Sequence, residues 1–164
     1  GTWCGGRGPE AAGGGGRAGP PGGWCVGRAL VETGGMGALV NRSDRDDARA
    51  AEWFASVRGG LLTTEAVVTE TAYLLAAAPA HQRAALHWVQ RVRAAGMLDV
   101  EAVAHHSVLA AIIQRYANLP CDYADATLIA LAERTGVNAI ATIDQRDFSV
   151  YRIKGRKRFR ILIA

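Results

Sequence analysis

From residue 28 onward, short apolar segments alternate with longer segments of helical period, and this alternation narrows the possible folds more than any other feature. The short segments, of strand length and rich in Leu, Ile and Val, are residues 28–32, 61–63, 97–103, 137–142 and 159–163. Between them, apolar residues recur at helical spacing. One helix is expected through Ala48, Ala51, Phe54 and Ala55, stopping at Gly59 and Gly60, with Ser43 and Asp46 as its N-cap signal. Others are expected at 65–78, ended by Pro79; 81–95, ended by Gly96; 105–118, closing at Pro120; and 123–134, ended near Gly136. A further helix start is expected near Met36, after a turn at Gly34 and Gly35. Strands alternating with helices at these lengths predict an α/β domain of three α/β/α layers around a mainly parallel sheet.

At 164 residues the chain suits one domain of ordinary size. Residues 1–27 hold twelve of the twenty glycines and three of the five prolines, including Gly13, Gly14, Gly15 and Gly16 in a row. Such a segment cannot offset its ordering entropy by burying apolar surface, so disorder is expected there and the folded domain is placed at 28–164. It also lacks the continuous apolar core of a secretory signal, and with Gly1 in first place it reads as a fragment end or a misplaced translation start. The composition is that of a soluble globular chain, 49% hydrophobic and 21% charged. All apolar runs fall short of the roughly 20 residues a spanning helix needs, so no membrane role and a cytoplasmic location are expected.

The informative acids fall where apolar residues belong. Glu70 shares a helix face with Val67, Leu74 and Ala77, and Asp125 lies on the stripe of Leu128, Ile129 and Ala132. A carboxylate on an apolar stripe is costly unless it is paired or bound to a metal. Glu32 and Asp144 come at the ends of expected strands, and in open α/β sheets the ligand crevice lies outside the carboxyl ends of the strands. Four acids from four segments, if they converge, form an electronegative pocket suited to a hard divalent cation such as Mg²⁺ or Mn²⁺. Each acid also has an ordinary structural explanation. Asp122 and Asp125 suit a helix N-terminus, Asp144 and Asp147 suit turns, Glu32 suits a cap, and Glu70 suits an arginine pair.

Positive charge is concentrated near the end of the chain, at Arg152, Lys154, Arg156, Lys157, Arg158 and Arg160. It suits the phosphates of a nucleic acid, and equally a solvated charged hairpin. Cys4, Cys25 and Cys121 have neither zinc-site spacing nor the density of a disulfide framework, and Cys121 is expected to be an inert buried thiol. The histidines and tryptophans are expected in packing or solvent-facing roles.

Four segments together resemble the PIN-domain nucleases, especially the VapC toxins. Leu30-Val31-Glu32-Thr33-Gly34 with Ala38-Leu39-Val40-Asn41 is similar to their opening motif, and Thr69-Glu70-Thr71-Ala72-Tyr73-Leu74-Leu75 to the second. Asp122-Tyr123-Ala124-Asp125-Ala126-Thr127-Leu128 resembles the third and Ala141-Thr142-Ile143-Asp144-Gln145-Arg146-Asp147-Phe148 the fourth. The resemblance implies a Mg²⁺- or Mn²⁺-dependent endoribonuclease, usually a toxin restrained by a cognate antitoxin, with an active-site groove completed on a homodimer. It makes Glu32, Glu70, Asp125 and Asp144 the metal-binding acids. Asp122 and Asp147 become accessory acids, and Thr142 a neighbour that orients water or phosphate.

On this reading Arg146, Arg152, Lys154, Arg156, Lys157 and Arg158 hold the RNA backbone, and a structured RNA with an exposed loop is the expected substrate. One departure stands out: the family carries aspartate where this chain has Glu32. The extra methylene moves the carboxylate by roughly one bond length, and Mg²⁺ tolerates little deviation from octahedral geometry at about 2.0–2.1 Å. The alternative expectation is therefore an impaired PIN-like module that binds RNA or an antitoxin without cleaving. The glycines of Gly34-Gly35-Met36-Gly37 are expected to add flexibility beside Glu32. A dinucleotide-binding turn at Gly35-Met36-Gly37 is disfavoured because Val40 replaces its third glycine.

Overall fold

The apolar segments become the strands of one sheet. The computed structural model describes residues 27–40, 47–103 and 105–163; the expected disordered segment, apart from Gly27, and the Ser43–Asp46 cap signal lie outside them. In chain order the first elements are β1 (Ala29–Val31), α1 (Thr33–Val40), α2 (Asp47–Ser56), β2 (Leu61–Thr64), α3 (Glu65–Leu74), α4 (Pro79–Ala94) and β3 (Leu98–Glu101). There follow α5 (His106–Arg115), α6 (Tyr123–Thr135), β4 (Ala139–Ala141), α7 (Gln145–Val150), β5 (Arg152–Ile153), β6 (Lys157–Arg158) and β7 (Arg160–Ile161).

The main sheet has the order β3-β2-β1-β4-β7, and every neighbouring pair is parallel. Leu30 lies opposite Leu62 on one side and Ile140 on the other. All residues of β1, β2 and β4 are buried, as expected of parallel strands covered on both faces. The chain builds outward from β1 to β2 and β3, then returns to the other side of β1 for β4 and β7. Parallel neighbours need crossover connections, and the helices supply them. The reversal also opens a crevice between the carboxyl ends of β1 and β4, where ligands bind in such sheets.

Four local expectations need correction. Helix α1 begins at Thr33, so Gly34 and Gly35 are helical rather than a turn before Met36. Their role is close packing, not flexibility: a Cβ on Gly35 would stand 2.4 Å from the Ala141 carbonyl oxygen. Pro79 opens α4 instead of ending α3, a position where its missing N–H costs nothing. Helix α3 already ends at Leu74, whose side chain is 64% exposed, so the apolar stripe shared with Glu70 is buried at Val67 but not at Leu74. Finally, the basic stretch does contain a short antiparallel hairpin, β5–β6, but it is preceded by a helix, α7, that the pattern did not reveal.

Aromatic rings fix this last portion. Phe148 meets Tyr151 and Phe159 edge-on at centroid distances of 5.3 and 5.4 Å, and Tyr151 meets Tyr116 of the α5 C-cap at 4.9 Å. Contacts of this geometry are worth about 0.5–1.5 kcal/mol each beyond area burial. They hold α7 and its C-cap Tyr151 against the end of α5 and against Phe159 before β7.

Candidate active site

Two strand ends and two helices contribute the arms of an acidic crevice. Glu32 follows β1 directly and is 7% exposed. Its Oε2 accepts the Gly34 N–H at 2.8 Å, and Oε1 accepts those of Gly35 at 2.8 Å and Ile143 at 3.3 Å. The Thr142 side chain lies close enough to favour its charged form as well. Burial pushes the carboxyl above its ordinary range, and these donors pull it back.

Thr33, next in the chain, donates its hydroxyl to Glu70 Oε2. Glu70 is carried by α3, whose start is fixed by Thr64 capping the Val67 N–H at 3.3 Å. Burial is the largest influence raising the Glu70 pKa; a hydrogen bond with the Asp122 carboxyl and the charges of Asp122 and Glu32 add to it, while Thr33 lowers it.

Helix α6 brings the third pair. Asp122 is its N-cap, accepting the Asp125 N–H on Oδ1 at 2.8 Å. Asp125, one turn in, lies above the buried Leu128, Ile129 and Ala132, as its place on the stripe predicts. Its pKa is raised to about 7, first by burial and then by the charges of Asp122, Glu32 and Glu70; the hydroxyl of Tyr151, 3.0 Å from Oδ2, works the other way. Tyr151 is itself fully buried, and burial together with Asp125 pushes its own pKa up.

The fourth arm follows β4. Thr142 is fully buried, and its Oγ1 accepts the Asp144 N–H at 2.8 Å. Asp144 then caps α7, accepting the Asp147 N–H at 3.1 Å. Asp147 is raised by its partial burial, then by Asp144 and Asp122, and is lowered by Arg146.

Glu70 and Asp125 therefore each feel the charges of Glu32 and Asp122, Asp125 also feels Glu70, and Asp147 joins them through Asp122. Asp144 is exposed and stands at the rim, linked to Glu32 through Thr142. None of the ion pairs among the described residues, Arg28–Asp99, Arg115–Glu133 and Arg134–Glu101, involves these acids. Among the described residues no three His, Cys, Asp or Glu side chains already surround a cation position. The donor set nonetheless fits a hard divalent cation: oxygen ligands only, and mutual repulsion that no ion pair among the described residues relieves.

The basic residues divide. Arg146 lies at the acidic rim, and Arg152 caps the end of α7 through the carbonyls of Ser149, Val150 and Tyr151 at 2.6–2.8 Å. The hairpin sits at the other end of α6: the Lys154 N–H donates to Glu133 Oε1 at 2.9 Å, and Lys157 Nζ donates to the Gly136 carbonyl at 3.1 Å. With 13 residues in α6 and about 1.5 Å rise per residue, about 18–20 Å separates the two ends. Lys154, Arg156, Lys157 and Arg158 are all exposed there.

Two residues of the site escape the sequence reading. Thr33 is signalled only by being a hydroxyl in an otherwise apolar, glycine-rich stretch, and Tyr151 only by the need of a buried tyrosine for a hydrogen-bond partner. Cys121 lies near Tyr151 and Asp125 and is only half-buried, not buried as expected, although partial burial still raises its thiol to about 11, which disfavours the reactive thiolate.

Comparison with known proteins agrees with the architecture. No curated protein matches the chain. Among solved structures, Mycobacterium tuberculosis VapC20, described as a sarcin–ricin loop cleaving toxin, is 25% identical with a TM-score of 0.64. The match covers 72% of this chain and 91% of that one. The family model of the PIN domain matches residues 29–154, spanning all four acidic arms. The chain belongs to the PIN domain family.

Proposed function

We propose that this protein is a divalent-cation-dependent endoribonuclease and the toxin of a type II toxin–antitoxin pair. The observation that carries the reading is the convergence of Glu70, Asp122 and Asp125 beside Glu32 at the crevice between β1 and β4, with their repulsion relieved by no ion pair among the described residues. Glu70, Asp125 and Asp144 are the candidates to hold Mg²⁺ or Mn²⁺, with Asp122 and Asp147 beside them. A bound cation would activate water and neutralise charge on the phosphate and the leaving oxygen. The protein's own part is positional. Thr33 fixes Glu70, Tyr151 fixes Asp125, and Thr142 fixes the turn that carries Asp144.

The similar VapC20 is described as cleaving the sarcin–ricin loop, which favours a looped, structured RNA as the substrate class here too. Arg146 and Arg152 would meet phosphates near the acids, and Lys154, Arg156, Lys157 and Arg158 would meet them further along the chain. An antitoxin partner, a homodimer that completes the groove and a cytoplasmic location belong to the same reading. No helix among the described residues is long and apolar enough to cross a membrane.

The test is cleavage of a structured RNA pool by wild type, Asp125→Asn and Asp144→Asn across a Mg²⁺ titration. Mg²⁺-dependent cleavage by wild type that falls at least a hundredfold in both variants is expected. Cleavage that survives both changes would exclude these acids, and no cleavage by wild type would leave a binding module.

A further inference from the structure

We propose that Glu32 is a positioning residue and not a ligand of the cation: its carboxylate pins the β1–α1 junction to the β4–α7 junction. The inference rests on the nuclease reading for the cation and on the described hydrogen bonds for the clamp. A carboxylate offers about four lone-pair sites. Here three backbone donors address them, the N–H groups of Gly34, Gly35 and Ile143, with the buried Thr142 side chain beside them. Two of those N–H groups belong to the first turn of α1, where the helix dipole already stabilises a negative charge. The donors that would have to yield to a cation are backbone groups of two different junctions, and a buried N–H left without a partner is costly.

The surrounding packing is built for this arrangement. A Cβ on Gly34 would stand 2.9 Å from Glu32 Oε1 and 2.6 Å from Ile143 Cγ1, so only glycine leaves room for the carboxylate to curl back. The absence of a side chain at Gly35 lets α1 approach the end of β4 closely enough for Oε1 to reach both the Gly35 and the Ile143 N–H. The longer side chain of glutamate thus has a use that the shorter aspartate lacks: it spans from the end of β1 around to its own helix and across to the neighbouring strand. Through this clamp Glu32 orients two groups that touch the other acids, Thr33 on Glu70 and Thr142 on the Asp144 turn.

The experiment uses the full chain, Mn²⁺ alone as the probe, and the variants Glu32→Asp, Glu32→Gln and Asp125→Asn. Mn²⁺ affinity by calorimetry is expected to stay within threefold of wild type in both Glu32 variants and to fall at least tenfold in Asp125→Asn. Both Glu32 variants are expected to melt lower. In Glu32→Gln the amide protons of Gly34, Gly35 and Ile143 are expected to exchange at least tenfold faster, while those of α4 stay as they are. Rescue of the protection by Glu32→Asp, or a tenfold gain in its Mn²⁺ affinity, would overturn the proposal, as would a tenfold loss of affinity in folded Glu32→Gln.

If neither Glu32 variant folds, wild type decides. Saturating Mg²⁺ leaves the protection of Gly34 and Gly35 unchanged if Glu32 is a clamp, and lowers it tenfold if the cation displaces their N–H groups. Should wild type bind no Mn²⁺, the nuclease reading fails. The clamp then stands or falls on the melting and exchange measurements.

Discussion

The Tyr151 hydroxyl donates to Asp125 Oδ2 at 3.0 Å, joining two residues 26 positions apart at the base of the acidic crevice. The bond favours the ionised carboxylate, the only form that binds a cation. Tyr151→Phe should raise the Asp125 pKa further and weaken Mn²⁺ binding at pH 7 by roughly tenfold, the size expected for a lost hydrogen bond to a charged group. The deficit should shrink as pH rises toward 9. Calorimetric titrations across pH check it, and equal affinity at pH 7 would show that the hydroxyl does not tune Asp125.

Burial of Asp125 and Glu70, with the charges of the neighbouring acids adding to it, also sets a stability profile. In the folded protein Asp125 keeps its proton up to about pH 7, whereas an unfolded aspartate releases it near pH 4. Between those values the folded state binds more protons, so cation-free stability should fall as pH rises from about 4 to about 7. Glu70, raised for related reasons, acts in the same direction. Without cation the melting temperature should be higher at pH 5 than at pH 8. Saturating Mg²⁺ should recover the loss at pH 8, and Asp125→Asn should flatten the difference. A cation-free melting temperature that climbs steadily over this range would contradict the raised pKa values.

Two glycines of α1 should respond oppositely to alanine. At Gly35 a methyl would meet the Ala141 carbonyl at 2.4 Å, a backbone atom that cannot swing aside, so Gly35→Ala should destabilise by about 1–3 kcal/mol. At Gly37 nothing lies within 4 Å, and Gly37→Ala should stabilise by up to about 1 kcal/mol through helix propensity. Urea denaturation of the pair measures both, and a stabilising Gly35→Ala would refute the close approach of α1 to β4.

Replacement of Lys154, Arg156 and Arg158 by glutamine removes exposed charge at the far end of α6 from the acids. If the hairpin holds RNA, the variant should bind RNA more weakly, with a salt slope reduced by about 0.7 for each phosphate that is no longer neutralised. Turnover at saturating RNA should stay near wild type. An unchanged slope would assign the hairpin to solvation alone.

The sheet was legible because its strands are short, continuous apolar runs, the mark of strands buried on both faces. Asp125 was legible for a related reason, standing on a stripe whose other members, Leu128, Ile129 and Ala132, are all buried. The same reasoning overreached at Leu74, because nothing local signals that α3 stops there and leaves that side chain in solvent. Gly34 and Gly35 read as a turn because glycine is a poor helix former. Glycine is needed there because a Cβ would run into Ala141, Ile143 or Glu32, and the Glu32 carboxylate accepts both N–H groups, tertiary effects with no trace in spacing. Thr33 and Tyr151 were missed on the same ground: their partners, Glu70 and Asp125, lie 37 and 26 residues away.

The fit between Glu32 and Gly34 also constrains how this sequence can drift. Because a methyl at position 34 would press on the very oxygen that Gly35 and Ile143 address, the two positions are not independent sites. A side chain at 34 would also meet Ile143 Cγ1 at 2.6 Å, so it becomes tolerable only after the acid at 32 has withdrawn and residue 143 has been cut back. Chains descended from this one should therefore keep Glu32, Gly34 and Ile143 together or exchange them together, and single replacements at 32 and 34 should not add independently.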